Sequence, residues 1–124
     1  MFIFLVITGT LNYIATIYNL YWSLKEFDSV VHFCGGVFVS LFFLWFYFYS
    51  GFFKPVKKNL ARFLTISILG TMFISISWEV YELILGEAMM QKSAYPFDTT
   101  LDLIMDFLGA SAACLYAYLR NYES

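Results

Sequence analysis

Residues 63–86 read FLTISILGTMFISISWEVYELILG, an apolar stretch whose only charged members, Glu79 and Glu82, sit together towards one end. As a helix it is about 36 Å long, enough to cross a hydrocarbon core roughly 30 Å thick. Residues 2–22, 29–53 and 99–119 have the same apolar character. The connections between these stretches are short, and short connections favour antiparallel neighbours. The expected architecture is an all-α, polytopic membrane protein: one transmembrane domain over residues 1–124, built as a four-transmembrane-helix bundle.

Composition supports that class. Hydrophobic residues make up 61% of the chain and charged residues 13%. A soluble domain carries roughly 25% charged residues, so this chain lacks the means to cover a water-facing surface. The seven Lys and Arg are scattered along the chain and form no basic nucleic-acid surface, so no nucleic-acid partner is expected. Cys34 and Cys114 lie inside apolar stretches without ligand-like spacing and read as small buried hydrophobes. Residues 2–22 have neither a basic leader nor a small-residue cleavage site and read as a retained helix.

Orientation follows from the basic residues. Lys54, Lys57, Lys58 and Arg62 crowd the loop between the second and third spans, and Arg120 closes the fourth, whereas the other two connections hold only Lys25 and Lys92. The positive-inside rule places that middle loop and both termini in the cytoplasm. Seven ionisable groups then gather at the outer side: Asp28 and His32, Glu79 and Glu82, and Asp98, Asp102 and Asp106. A charge in lipid is costly unless it is paired, protonated, hydrated or bound to a cation.

Each helix presents these groups on a stripe. Asp98, Asp102 and Asp106 recur every four residues, and Gly109, Ala110, Ala113 and Ala117 continue the side inward, a small-residue ladder that admits a close neighbour. Ser75, Glu79, Glu82 and Gly86 form the stripe of the third span; Asp28, His32 and Gly35 or Gly36 that of the second; Thr8, Asn12, Thr16 and Asn19 that of the first. Asp28 and Asp98 stand where helix N-caps are expected, and Thr99 with Asp102 fits a capping box. His32, Glu79, Glu82 and Asp106 lie too deep for capping.

These residues predict an outward-facing polar site built from His32, Glu79, Glu82, Asp102 and Asp106, with Asp28 and Asp98 at its rim. Oxygen donors with one imidazole suit a divalent metal ion, which is the expected cofactor. Two other chemistries are open: proton or cation movement between neighbouring carboxyls, and recognition of a polar headgroup or a partner. No GxSxG, HExxH, P-loop or dinucleotide fingerprint supports soluble-enzyme chemistry of those kinds.

The motifs occur in the order Phe27-Asp28-x-x-x-His32-Phe33-x-Gly35-Gly36, then Ser77-Trp78-Glu79-x-x-Glu82, then Asp98-Thr99-x-x-Asp102-Leu103-x-x-Asp106-x-x-Gly109-Ala110. This set resembles the YjdF-like family of small bacterial inner-membrane proteins and, more distantly, the VanZ-like membrane family associated with resistance to glycopeptide-type antibiotics. The sequence departs from the VanZ-like pattern at Glu82, where Gln is commoner, and has no Arg between Tyr95 and Thr100. The resemblance implies a multi-pass protein of the bacterial cytoplasmic membrane with an envelope-related role. The lipid bilayer is its first partner, and a four-helix chain leaves room for a homo-oligomer or a membrane-protein partner.

Overall fold

The computed structural model describes residues 2–18, 25–54, 57–85 and 95–123. They form four helices: α1 (Phe2–Ile17), α2 (Lys25–Tyr49), α3 (Leu60–Leu85) and α4 (Tyr95–Glu123). Three of them contain segments long and apolar enough to cross a membrane: Phe27–Tyr49, Leu60–Ile84 and Thr99–Arg120. The first expected span, 2–22, is helical over Phe2–Ile17, about 24 Å and short of a full crossing. Residues 19–24 fall outside the described residues.

Local chemistry sets the helix ends, and it moves three sequence expectations. At the start of α3, Asn59 is the N-cap: its Oδ1 accepts the Arg62 N–H at 2.8 Å, and its carbonyl accepts that of Phe63 at 3.1 Å. Just beyond α2, Gly51 turns the chain with φ of +80°, a left-handed conformation that glycine adopts without Cβ strain. α2 begins at Lys25, before the expected start, so Asp28 lies inside its first turn and is not its N-cap. α4 begins at Tyr95, before the expected start at residue 99, because Pro96 fits the first turn, where its missing N–H costs nothing; Asp98 is therefore helical and not the N-cap. Thr99 is therefore helical, and in place of a capping box its hydroxyl bonds to another helix.

The chain is turned inside out relative to a soluble protein. The buried residues of α3 are Phe63, Ser67, Thr71, Ser75 and Glu79, whereas Leu69, Phe73, Ile76 and Ile84 are exposed, Ile84 to 77%. Lipid tails are as apolar as leucine, so the apolar residues face outward and the polar ones find partners inside. α2 and α4 form the most extensive contact, α3 packs on both, and α1 packs on α2. Contacts progress in the same sense along α2 and α4, from His32–Asp106 to Ser40–Ala110, so these two helices run parallel; α3 is antiparallel to both.

Two glycines bring α2 and α4 backbone to backbone. A Cβ on Gly109 would meet the Phe33 carbonyl, and one on Gly36 would meet the Asp106 carbonyl and lie 2.9 Å from Asp106 Cα. Halfway down, Ser40 and Ser67 hydroxyls lie 2.5 Å apart, and both bond to the Ala110 carbonyl, at 3.2 and 3.1 Å, so one polar node joins three helices. Beyond it the core becomes apolar. Leu44, Phe63 and Cys114 are buried there, Phe48 stacks on Phe63 at 4.5 Å between ring centroids, and Tyr118 meets Phe63 edge-on at 5.6 Å.

Gly36→Ala should cost about 2 kcal/mol or more of stability, because the added methyl meets backbone that cannot give way. Gly9→Ala, at a position with open space around it, should be neutral or stabilise by up to about 1 kcal/mol. Thermal midpoints of the detergent-purified variants check both; equal midpoints would refute the close approach.

Candidate functional site

His32 is the centre of the site, and α2 and α4 place it. The glycine contact holds α2 and α4 together one turn below His32, so the imidazole projects between Asp102 and Asp106 of α4. Its Nδ1 lies 3.1 Å from Asp106 Oδ2, a hydrogen-bond distance. Its Nε2 lies 3.8 Å from Asp28 Oδ1, one turn earlier on its own helix, and 3.7 Å from Asp102 Oδ2. The last two separations are ion-pair distances, beyond hydrogen-bond range. Asp102 and Asp106 are both buried, Asp28 is more open, and Gly35 leaves room beside Asp106 Oδ1.

Two kinds of contact therefore meet on one ring. Asp106 can fix the Nδ1–H tautomer, leaving the Nε2 lone pair directed at the two other carboxylates. One atom from each of Asp28, His32 and Asp102 lies within 4.8 Å of the others. Ligands on a small cation at about 2.0–2.2 Å sit roughly 3.0–3.4 Å apart, so a modest contraction would close the three around an ion. When ionised, three carboxylates outweigh one imidazole even if the ring is protonated, and a dication would offset that excess.

α3 contributes a neighbouring acid layer. Glu79 is only 7% exposed, and its Oε2 accepts the Thr99 hydroxyl of α4 at 3.0 Å. Its Oε1 is buried without a hydrogen-bond partner among the described residues. Glu82 takes a different environment: Trp78 Nε1–H donates to its Oε1 at 2.8 Å along the exposed side of α3.

The whole chain except its last two residues, 1–122, matches the model of a family described as Predicted membrane protein (DUF2238). The chain belongs to that family. No curated protein and no solved structure matches it.

In this DUF2238 protein the residues singled out from sequence separate into layers. His32, Asp102 and Asp106 lie together, and Asp28, placed at the rim from sequence, stands beside them at the imidazole. Glu79 and Glu82 bond to Thr99 and Trp78. The Asp98 side chain lies outside the described residues. Sequence reasoning missed the buried hydroxyls of Ser40, Ser67 and Thr71. Extending the four-residue spacing of Glu79 and Ser75 back along α3 reaches Thr71, Ser67 and then Phe63, so a signal for two of the three was present.

The chain has one histidine, which makes its ring directly observable. Nitrogen-15 NMR of the neutral ring should show Nδ1 protonated in the parent protein. Asp106→Ala should shift the population to the Nε2–H form. A parent ring already protonated at Nε2 alone would contradict the role assigned to Asp106.

Proposed function

We propose that this membrane protein binds a divalent cation between Asp28, His32 and Asp102, with Asp106 orienting the imidazole from behind. The observation that carries this reading is the division of labour on His32: Nδ1 at 3.1 Å from Asp106, and Nε2 facing Asp28 and Asp102 at 3.8 and 3.7 Å. A carboxylate behind a ligating histidine is the usual support for a metal site. One nitrogen and two oxygen donors favour manganese, iron(II) or zinc over calcium, which takes six to eight oxygens. Glu79 and Glu82 join the same reading as a second acidic layer whose charge draws cations towards the triad.

The reading extends to topology and setting. The basic residues Lys54, Lys57, Lys58 and Arg62 support a cytoplasmic middle loop. The site then opens on the outer side of a bacterial cytoplasmic membrane, with both termini inside and α1 within a fourth span. The YjdF-like and VanZ-like resemblance supports an envelope-related role at that surface. A bound cation there would hold the helix ends together or polarise a water for hydrolysis of an envelope substrate. A second reading, proton or cation handling, draws on the buried Oε1 of Glu79, which has no hydrogen-bond partner among the described residues.

Elemental analysis of the detergent-purified protein tests this directly. The parent should carry about one manganese, iron or zinc per chain after repletion, and His32→Ala and Asp102→Ala, folded, should each lose more than about tenfold in affinity. Glu82→Gln should keep the metal. A folded parent without metal, together with acid-driven flux in proteoliposomes that Glu79→Gln abolishes, would replace the first reading by the second.

A further inference from the structure

α3 carries a run of buried polar side chains outside the Asp28–His32–Asp102 triad. Ser67, Thr71, Ser75 and Glu79 recur every four residues, and all four are more than nine-tenths buried, Thr71 to within 1%. Buried hydroxyls in membrane helices ordinarily bond to the carbonyl four residues earlier or to a neighbouring helix. Thr65 and Ser77, on the exposed side of α3, do the first, bonding to the Ala61 and Phe73 carbonyls. Thr71 does neither: its Oγ1 is buried with no hydrogen-bond partner among the described residues, and the same is true of Glu79 Oε1, two rungs away. Leaving such a group dry costs about 1–3 kcal/mol, and native structures meet that cost with bound water.

The spacing fits water. Successive rungs four residues apart are separated by about 6 Å along a helix axis. A single water with hydrogen bonds of about 2.8–3.0 Å at a near-tetrahedral angle reaches about 5 Å, so one or two waters, with the hydroxyls turning towards them, span each gap. At the far end the ladder is closed: Ser67 is engaged with Ser40 and the Ala110 carbonyl, and Leu44, Phe63 and Cys114 fill the space beyond.

We propose that Thr71, Ser75 and Glu79 form a bound-water site: waters lie between successive rungs of α3, beginning at Glu79 Oε1 and ending at the Ser40–Ser67 pair. It is a blind-ended hydrated track. It leads from the acid layer to the middle of the bundle and stops at an apolar seal, so it hydrates the site from within but does not cross the membrane. The inference does not depend on a metal, since none of its rungs belongs to the Asp28–His32–Asp102 triad.

Water-edited solid-state NMR of the unsubstituted protein in bilayers tests it. Magnetisation from water should reach the Thr71 and Ser75 side chains about tenfold faster than those of Leu44 and Cys114, as expected for hydroxyls bonded to internal water. Build-up at Thr71 and Ser75 as slow as at Leu44 would overturn the proposal, and so would equally rapid build-up at Cys114, which would deny the seal. Stability gives a second readout. Thr71→Val should lower the thermal midpoint by more than Thr71→Ser, which loses only a buried methyl, because removing a water-bonded hydroxyl strands the water. A midpoint unchanged or raised in Thr71→Val would mean that the hydroxyl is dry.

Discussion

Backbone contact between α2 and α4 at Gly36 and Gly109 is the constraint from which the rest of the site follows. With side chains at these positions the two helices would stand apart, and the His32 imidazole would not reach Asp102 and Asp106. Because they touch, one ring is held by carboxylates from both helices, two of them buried. The next small residue, Ala110, supplies the carbonyl of the serine node, and Ala113, one turn further, is buried as well. Close packing of this kind replaces the hydrophobic effect, which does little between helices already surrounded by lipid.

Polarity is graded along the bundle. The end bearing His32 is acidic, the middle is held by the Ser40–Ser67–Ala110 node, and the end near Lys57 and Lys58 is sealed by Phe48, Phe63 and Tyr118. Each layer satisfies a different requirement of burial in lipid. The acids pair with histidine, threonine or tryptophan; the mid-level hydroxyls share one carbonyl; the aromatic layer asks for nothing but packing. This gradient accounts for the polar stripe of α3 lying inside while Leu69, Phe73 and Ile84 lie outside.

Much of this was legible in the sequence. The apolar lengths gave three of the helices, and the i, i+4 spacing of Asp102 and Asp106 gave the inward face of α4. The glycines and alanines that follow pointed to a close neighbour. The helix starts are less legible, because Asp98 and Thr99 carry capping chemistry while Pro96, just before them, fits a first helical turn. A proline in the first turn extends α4 back to Tyr95, and this converts Thr99 from a cap into a partner for Glu79. Asp28 differs for a related reason: α2 starts at Lys25, so Asp28 is a helical residue of the first turn and not the cap, on the stripe that the sequence already shares between it and His32. Half of the serine node was legible, since Ser67 continues the four-residue stripe of Ser75 and Glu79; Ser40 was not, because an isolated mid-helix serine carries no spacing that distinguishes an interhelical bond from a bond to its own backbone.

In the proposed cation site His32 presents one nitrogen to the ion while the other is tied to Asp106. X-ray absorption spectroscopy of the protein loaded with zinc or manganese examines that ligand environment without any substitution. The expected result is one imidazole nitrogen at about 2.0–2.2 Å with the remaining near ligands oxygen. A spectrum with oxygen ligands alone, and no imidazole contribution, would contradict it.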